Sequence, residues 1–421
     1  MSRIETIYPS DRVSLREVGL RDGLQLVKKF PSTEAKQRWV REEYAAGVRH
    51  FEVGSFLPAK TFPQFVDVRD VIGAVASLPG AHGIALALNE RGVNEALESG
   101  VGEIASVVSA TEEHSQANAH RSRESAIANV RRLCEMRDAS SHKPLVNAAI
   151  SMALGCSITG AVDPAEVLRL VDKCLEAGVD FVAIADTVGY AGPKQVAELS
   201  RAAVKLAGQK PICIHLHDTR GMGIANAAAA LDEGVRILDG SLGGLGGCPF
   251  APGATGNVVF EDLVFLCESK GFATGIDLEK LVSVRRILRD EMPNETLYGG
   301  VARAGLPCGT AAYATDLLMP VPVLPRLRRL AFARRNHHHA PIAHAAFGDD
   351  VVGEMPDLVG RAAQCRHLHA IVVVEMDVQR RQREVVVAVE FLHQALREIA
   401  GGVVVDIDEA GDAGAGLRRV L

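Results

Sequence analysis

The chain has 421 residues, 48% of them hydrophobic and 23% charged, with a formal net charge of −6. This is the composition of an ordinary globular protein long enough to bury a large core, and its sign argues against a nucleic-acid surface, which would carry a basic patch. No apolar run is long enough to span a membrane, and the opening MSRIETIYPSDR has neither a secretory apolar stretch nor the bias of a transit peptide, so a cytoplasmic protein without a membrane partner is expected.

Short β-branched runs alternate with helical stretches through the first 300 or so residues. In chain order, strands are predicted at 13–18 (VSLREV), 49–54 (RHFEVG), 83–88 (GIALAL), 103–108 (EIASVV), 145–152 (LVNAAISM), 180–186 (DFVAIAD), 211–216 (PICIHL) and 236–241 (RILDGS). Four helix exits share a Gly-Val pair, at Gly47-Val48, Gly100-Val101, Gly178-Val179 and Gly234-Val235. Each glycine suits the left-handed position just past a helix. Asp163 is a plausible N-cap, with Pro164 in the first turn and Glu166 in the capping-box place. Eight successive βα units predict an α/β fold, a TIM (β/α)8 barrel over 1–309. A doubly wound open sheet is the structural alternative.

Residues 310–421 read differently. They contain no lysine and carry RLRRL, HHH and the runs IVVV and VVVAV. No βα rhythm is visible, so they are set apart as a C-terminal extension of unknown structure and role, without a catalytic assignment. The eight cysteines form no CxxC pair. They are expected to be free thiols in a reducing compartment, most of them small core residues.

Barrel active sites lie where strands end and βα loops begin. After the first strand comes EVGLRDGLQ (17–25), which places Arg21 and Asp22 at that edge. Taken alone, RDG is a common turn. After the seventh strand comes HLHDTRG (215–221). His215 and His217 are two apart and share a strand face, and two imidazoles at a barrel mouth suit a metal. After the eighth comes SLGGLGGCPFAPGATGN (241–257), a glycine-rich segment with Cys248 inside it and Asn257 at its end. A packing cysteine has no need of so many flanking glycines and prolines.

These three segments, with FEVGSF (51–56), SMALGC (151–156) and IADTVG (184–189), resemble the hydroxymethylglutaryl-CoA lyase family from about Val13 to Gly309. That family belongs to the metal-dependent barrel lyases that also include isopropylmalate and homocitrate synthases. The Gly-Gly-Cys-Pro segment sets the lyases apart. The resemblance implies that Asp22, His215, His217 and Asn257 bind a divalent metal, Mg²⁺ or Mn²⁺. It also implies that Arg21, Glu52, Asp186 and Cys248 are active-site residues acting on an acyl-CoA thioester, in a homo-oligomer (dimer or higher).

The implied chemistry is a retro-Claisen cleavage of (S)-3-hydroxy-3-methylglutaryl-CoA to acetyl-CoA and acetoacetate. A Lewis acid lowers the pKa of the C3 hydroxyl, and His215 or Asp186 takes its proton. Arg21 stabilises the enolate, Glu52 orients Arg21 or a water, and Cys248 protonates C2. Two departures from the family pattern, Leu20 ahead of RDG and Arg220 after HDT, are expected to reshape the acyl pocket. The alternative readings are a lyase for a related thioester such as citramalyl-CoA, a Claisen-type synthase, and a non-catalytic binding barrel.

Overall fold

The computed structural model describes residues 2–247 and 256–307, and the backbone of 343–345 and 372–374. Eight parallel strands close into one barrel in the order β1 to β8. They are β1 (Ser14–Glu17), β2 (His50–Ser55), β3 (His82–Leu86), β4 (Glu103–Ser109), β5 (Leu145–Ser151), β6 (Phe181–Asp186), β7 (Ile212–Leu216) and β8 (Ile237–Gly240). Seven fall within about one residue of their predicted spans, and β3 ends two residues before its predicted end at 88. The four Gly-Val exits have φ of 110°, 75°, 101° and 90° at Gly47, Gly100, Gly178 and Gly234, values that L side chains rarely adopt.

Asp163 caps the helix Pro164–Glu176 by accepting the amide of Ala165 at 2.9 Å. Glu166 does not complete a capping box. Its carboxylate turns to Arg169 and Arg123 instead, since two guanidinium partners outweigh one backbone amide. Among the described residues no helix is long and apolar enough to cross a membrane. The chain divides into two compact units, Met1–Met319 and Pro320–Leu421. In the second, Val372–Val374 pairs in parallel with Ala343–Ala345.

Strand alternation sorts the barrel's side chains. Ile104, Val146, Ile150, Val182, Ile184, Ile214 and Leu238 point outward into the large core shared with the helices. Inward positions form a floor of Tyr8, Leu145, Phe181, Ala183, Cys213 and Ile237, against which Ile4 and Ile7 of the short N-terminal helix pack. Above that floor lies a buried polar network. Glu103 accepts from Tyr8 Oη (2.7 Å), Arg16 Nη1 (3.0 Å) and Asn147 Nδ2 (2.6 Å). Arg16 also pairs with Asp239 through two nitrogens, at 2.6 and 2.9 Å. Both carboxylates are thus matched to donors, the condition for burying charge without a large penalty.

A second acidic group ties two mouth loops together. Glu17 Oε1 accepts the amides of Gly19 (2.6 Å) and Leu242 (3.2 Å). Glu261 Oε2 accepts Gly243 N at 2.9 Å while its other oxygen pairs with Arg285 at 2.6 Å. Burial drives the Glu17 carboxyl up from the ordinary value near 4.5 to about 8, and burial together with Glu17 raises Glu43 well above its usual range. A carboxyl whose folded pKa exceeds its unfolded one stabilises fully below the unfolded pKa, and that contribution is lost as pH rises through the folded one. Stability should therefore fall as pH rises from about 4.5 to about 8. Urea unfolding of Glu17→Gln should give a flatter pH dependence than the parent. Equal slopes would show that Glu17 ionises normally in the fold.

Candidate metal centre and active site

β1 ends in a tight turn in which the amides of Arg21, Asp22 and Gly23 all point to Val18 O, at 3.1, 2.8 and 3.2 Å. The five-residue spacing of the last bond is a π-type turn, a form often found at functional sites. Gly19 is required there: a Cβ would stand 2.8 Å from Trp39 Cζ2 and would also meet Glu17. The turn aims Asp22 at the end of β7. Asp22 Oδ2 lies 3.4 Å from His217 Nε2 and 3.9 Å from His215 Nε2. Ligand atoms of the three residues all fall within 4.8 Å of one another.

Asn257 reaches this cluster because the chain after the glycine-rich segment returns along β7. Val258 N donates to Leu216 O and Asp218 N to Gly256 O, both at 2.9 Å. Asn257 Nδ2 donates to Asp22 Oδ2 (2.8 Å) and Leu245 O (3.0 Å). Its Oδ1 is buried and has no hydrogen-bond partner among the described residues, as is also true of His217 Nδ1. An unpaired buried carbonyl oxygen costs about 1–3 kcal/mol, and here it accompanies two imidazoles and a carboxylate. Mixed oxygen and nitrogen donors of this kind fit a divalent cation.

Charge is arranged to match. Burial works against the Asp22 anion, but Arg21 and the two imidazoles outweigh it and hold the carboxyl well below its usual range. Burial likewise opposes charge on His215, yet Asp239, 3.0 Å from Nδ1, and Asp22 leave its pKa raised. Arg21 pairs with Glu52 at 2.8 Å and Asp22 at 2.6 Å. These groups line one side of a cavity of about 280 Å³ at the barrel mouth, which also includes Gln25 and Gly247.

Seven of the eight expected site residues are described. Arg21, Asp22, Glu52, His215 and His217 line the cavity. Asn257 touches Asp22. Asp186 does not line the cavity: it is fully buried and accepts the amides of Tyr190 (2.8 Å) and Ala191 (3.0 Å), holding the β6 loop. Each of its two oxygens accepts one backbone amide. Cys248 lies outside the described residues. Neither Leu20 nor Arg220 is among the described residues that line the cavity. Leu20 is buried in the core, and Arg220 lies 5.0 Å over the Tyr190 ring and donates to Val188 O and Gly189 O at 3.0 and 2.8 Å.

Sequence reasoning missed Asp239, Arg16 and Gln25. Asp239 sits in a strand whose neighbours are apolar, and a charged residue at an inward strand position was the available signal. Free thiols behave as expected: Cys134, Cys156, Cys174, Cys213 and Cys267 are all buried, and burial pushes Cys174 and Cys267 up to about 12.

Fold and site together define a TIM-barrel protein with a candidate divalent-metal centre at the C-terminal mouth of its strands, where such barrels carry their active sites. The HMGL-like family model matches residues 12–288, and the chain belongs to that family. It is 35% identical to the hydroxymethylglutaryl-CoA lyase of Bacillus subtilis over 285 residues, covering 68% of this chain and 94% of that one. It is 38% identical over 271 residues to a Pseudomonas aeruginosa lyase described as acting on 3-hydroxy-3-isohexenylglutaryl-CoA and hydroxymethylglutaryl-CoA, covering 64% and 90%. A solved HMG-CoA lyase from Acinetobacter baumannii, in complex with coenzyme A and 3-methylmalate, superposes with a TM-score of 0.66 at 33% identity over 75% of this chain and 99% of that one.

Proposed function

We propose that this enzyme is a hydroxymethylglutaryl-CoA lyase, cleaving (S)-3-hydroxy-3-methylglutaryl-CoA to acetyl-CoA and acetoacetate. The observation that carries this reading is the convergence of Asp22, His215, His217 and the unpaired Asn257 oxygen beside the Arg21–Glu52 pair. Mg²⁺ or Mn²⁺ suits the donor set, held by Asp22, His217 and Asn257 with His215 in reach. Bound there, the ion supplies Lewis-acid polarisation of the substrate oxygens.

The protein's own groups account for the remaining steps. Only Nε2 of His215 is available, because Nδ1 is engaged by Asp239. The ring can be a ligand or a proton acceptor but not both at once: with Asp22, His217 and Asn257 holding the ion, Nε2 is free to accept a proton, and the Asp239 pairing favours the charged ring that results. As the C3 hydroxyl gives its proton to Nε2, the C2–C3 bond breaks, C3 becomes the ketone of acetoacetate, and the electron pair moves into the thioester as an enolate. Arg21, locked by Glu52, presents its fixed charge to that oxygen. The last proton goes to C2, for which Cys248 is the proposed donor: an unperturbed thiol has a pKa of about 8.5, and its neighbour Gly247 lines the cavity. Acetyl-CoA and acetoacetate should appear in equal amounts from the full-length protein, read by chromatography. A synthase-type condensation, or no product, would refute the lyase reading.

Serine at position 248 matches the cysteine in size but is far less acidic. Cys248→Ser should bind metal and thioester yet turn over about 10²–10⁴-fold more slowly, the usual range for a lost general acid. Near-parental kcat in that variant would assign proton delivery to another group. The proposed assembly is a homo-oligomer in the cytoplasm, and the proposed barrel domain ends near Gly309.

A further inference from the structure

A line of buried charged groups runs from the floor of the barrel up to His215. It starts at Glu103 on β4, which accepts from Tyr8 Oη (2.7 Å) and Asn147 Nδ2 (2.6 Å) and lies 3.1 Å from His82 Nε2. Glu103 holds Nη1 of Arg16 at 3.0 Å. Arg16 on β1 donates to both oxygens of Asp239 on β8, from Nε at 2.6 Å and from Nη2 at 2.9 Å, and the two residues are partners in the strand register. Asp239 Oδ2 completes the line, 3.0 Å from Nδ1 of His215 on β7. Arg16, Glu103 and Asp239 are only 4%, 0% and 4% exposed.

Closing the floor does not call for these residues. Barrel interiors are filled mainly by Val, Ile and Leu, and well-packed apolar groups in place of a buried ion pair are often no less stable. The charged arrangement does one thing that an apolar layer could not. A guanidinium is a rigid planar fork, so its two-point contact fixes the plane of the Asp239 carboxylate. The fork is itself held from behind by Glu103, and its central carbon lies 5.6 Å from the centre of the Phe181 ring. Because Asp239 engages Nδ1, the setting of that carboxylate decides where Nε2 of His215 points. The line does not conduct protons, since an arginine does not give up its proton in a protein. Its effect is orientation.

We propose that Arg16 and Glu103 are positioning residues for the cleavage: acting through Asp239, they hold His215 with Nε2 toward the C3 hydroxyl of the substrate. The proposal rests on the lyase reading, with His215 as the proton acceptor. It extends the machinery of the mouth down to the floor of the barrel.

Kinetics of the full-length, metal-loaded enzyme with 3-hydroxy-3-methylglutaryl-CoA test it. Glu103→Gln keeps the size of the side chain and removes its charge. Its kcat should fall about 10–100-fold, the usual scale for losing a partner that orients a site histidine, with KM within a few-fold and metal content unchanged. Arg16→Lys keeps the buried charge and loses the fork, so it should fall as far instead of rescuing activity. It reads the same link if Glu103→Gln does not fold. The deciding comparison adds each substitution to Asp239→Asn. If both residues act through Asp239, neither addition should change kcat by more than about twofold, whereas independent effects multiply. Losses that multiply, a change confined to KM, a fall in bound metal, or parental kcat in both single variants would overturn the proposal while the lyase reading stands. A parent enzyme that releases no acetoacetate overturns both.

Discussion

Arg21→Lys should lower kcat by about 10²–10³-fold and leave KM within a few-fold, the scale measured when one preorganised donor to a developing oxyanion is removed. The side chain is held on two sides, by Glu52 at Nε and by Asp22 and Gln25 at Nη1. These contacts hold the guanidinium beside the cavity that Arg21 lines. Lysine keeps the charge but is a single rotatable point with no fork. An interaction gained only as the thioester oxygen becomes an enolate appears in kcat and not in KM. Steady-state kinetics decide the matter: a change confined to KM would make Arg21 a substrate anchor.

Asp22→Ala should be at least as severe, with turnover reduced about 10³-fold or more and metal content of the purified protein falling with it, because Lewis-acid stabilisation is worth several kcal/mol. Asp22 is the anionic member of the cluster and contacts every other part of it: His217, His215, Asn257 and Arg21. His217→Ala removes a neutral donor and should weaken metal binding less. Metal analysis beside kinetics makes the order of effects readable. Full metal occupancy in Asp22→Ala would place the ion elsewhere.

The fold was legible because period-2 strands alternate with helices that announce their own ends, as the Gly-Val exits do. The site was legible in part. The HxH pair was visible because strand alternation forces both rings onto one face. Asn257 became meaningful only through the resemblance, since its approach depends on a return along β7 with no local signature. Asp186 was named through the resemblance, and the loop geometry adds what no local sequence signal carries, its two oxygens accepting the amides of Tyr190 and Ala191. Leu20 and Arg220 misled because adjacency in sequence to site residues is not adjacency in space.

The most direct measurement is a single titration. The full-length protein is stripped with a chelator, reloaded stepwise with Mg²⁺ or Mn²⁺, and assayed at each step with 3-hydroxy-3-methylglutaryl-CoA for acetyl-CoA and acetoacetate. The account predicts no cleavage in the stripped protein, with both products rising together as about one ion binds per chain. Undiminished cleavage by stripped enzyme, or a fully loaded enzyme that releases neither product, would contradict it.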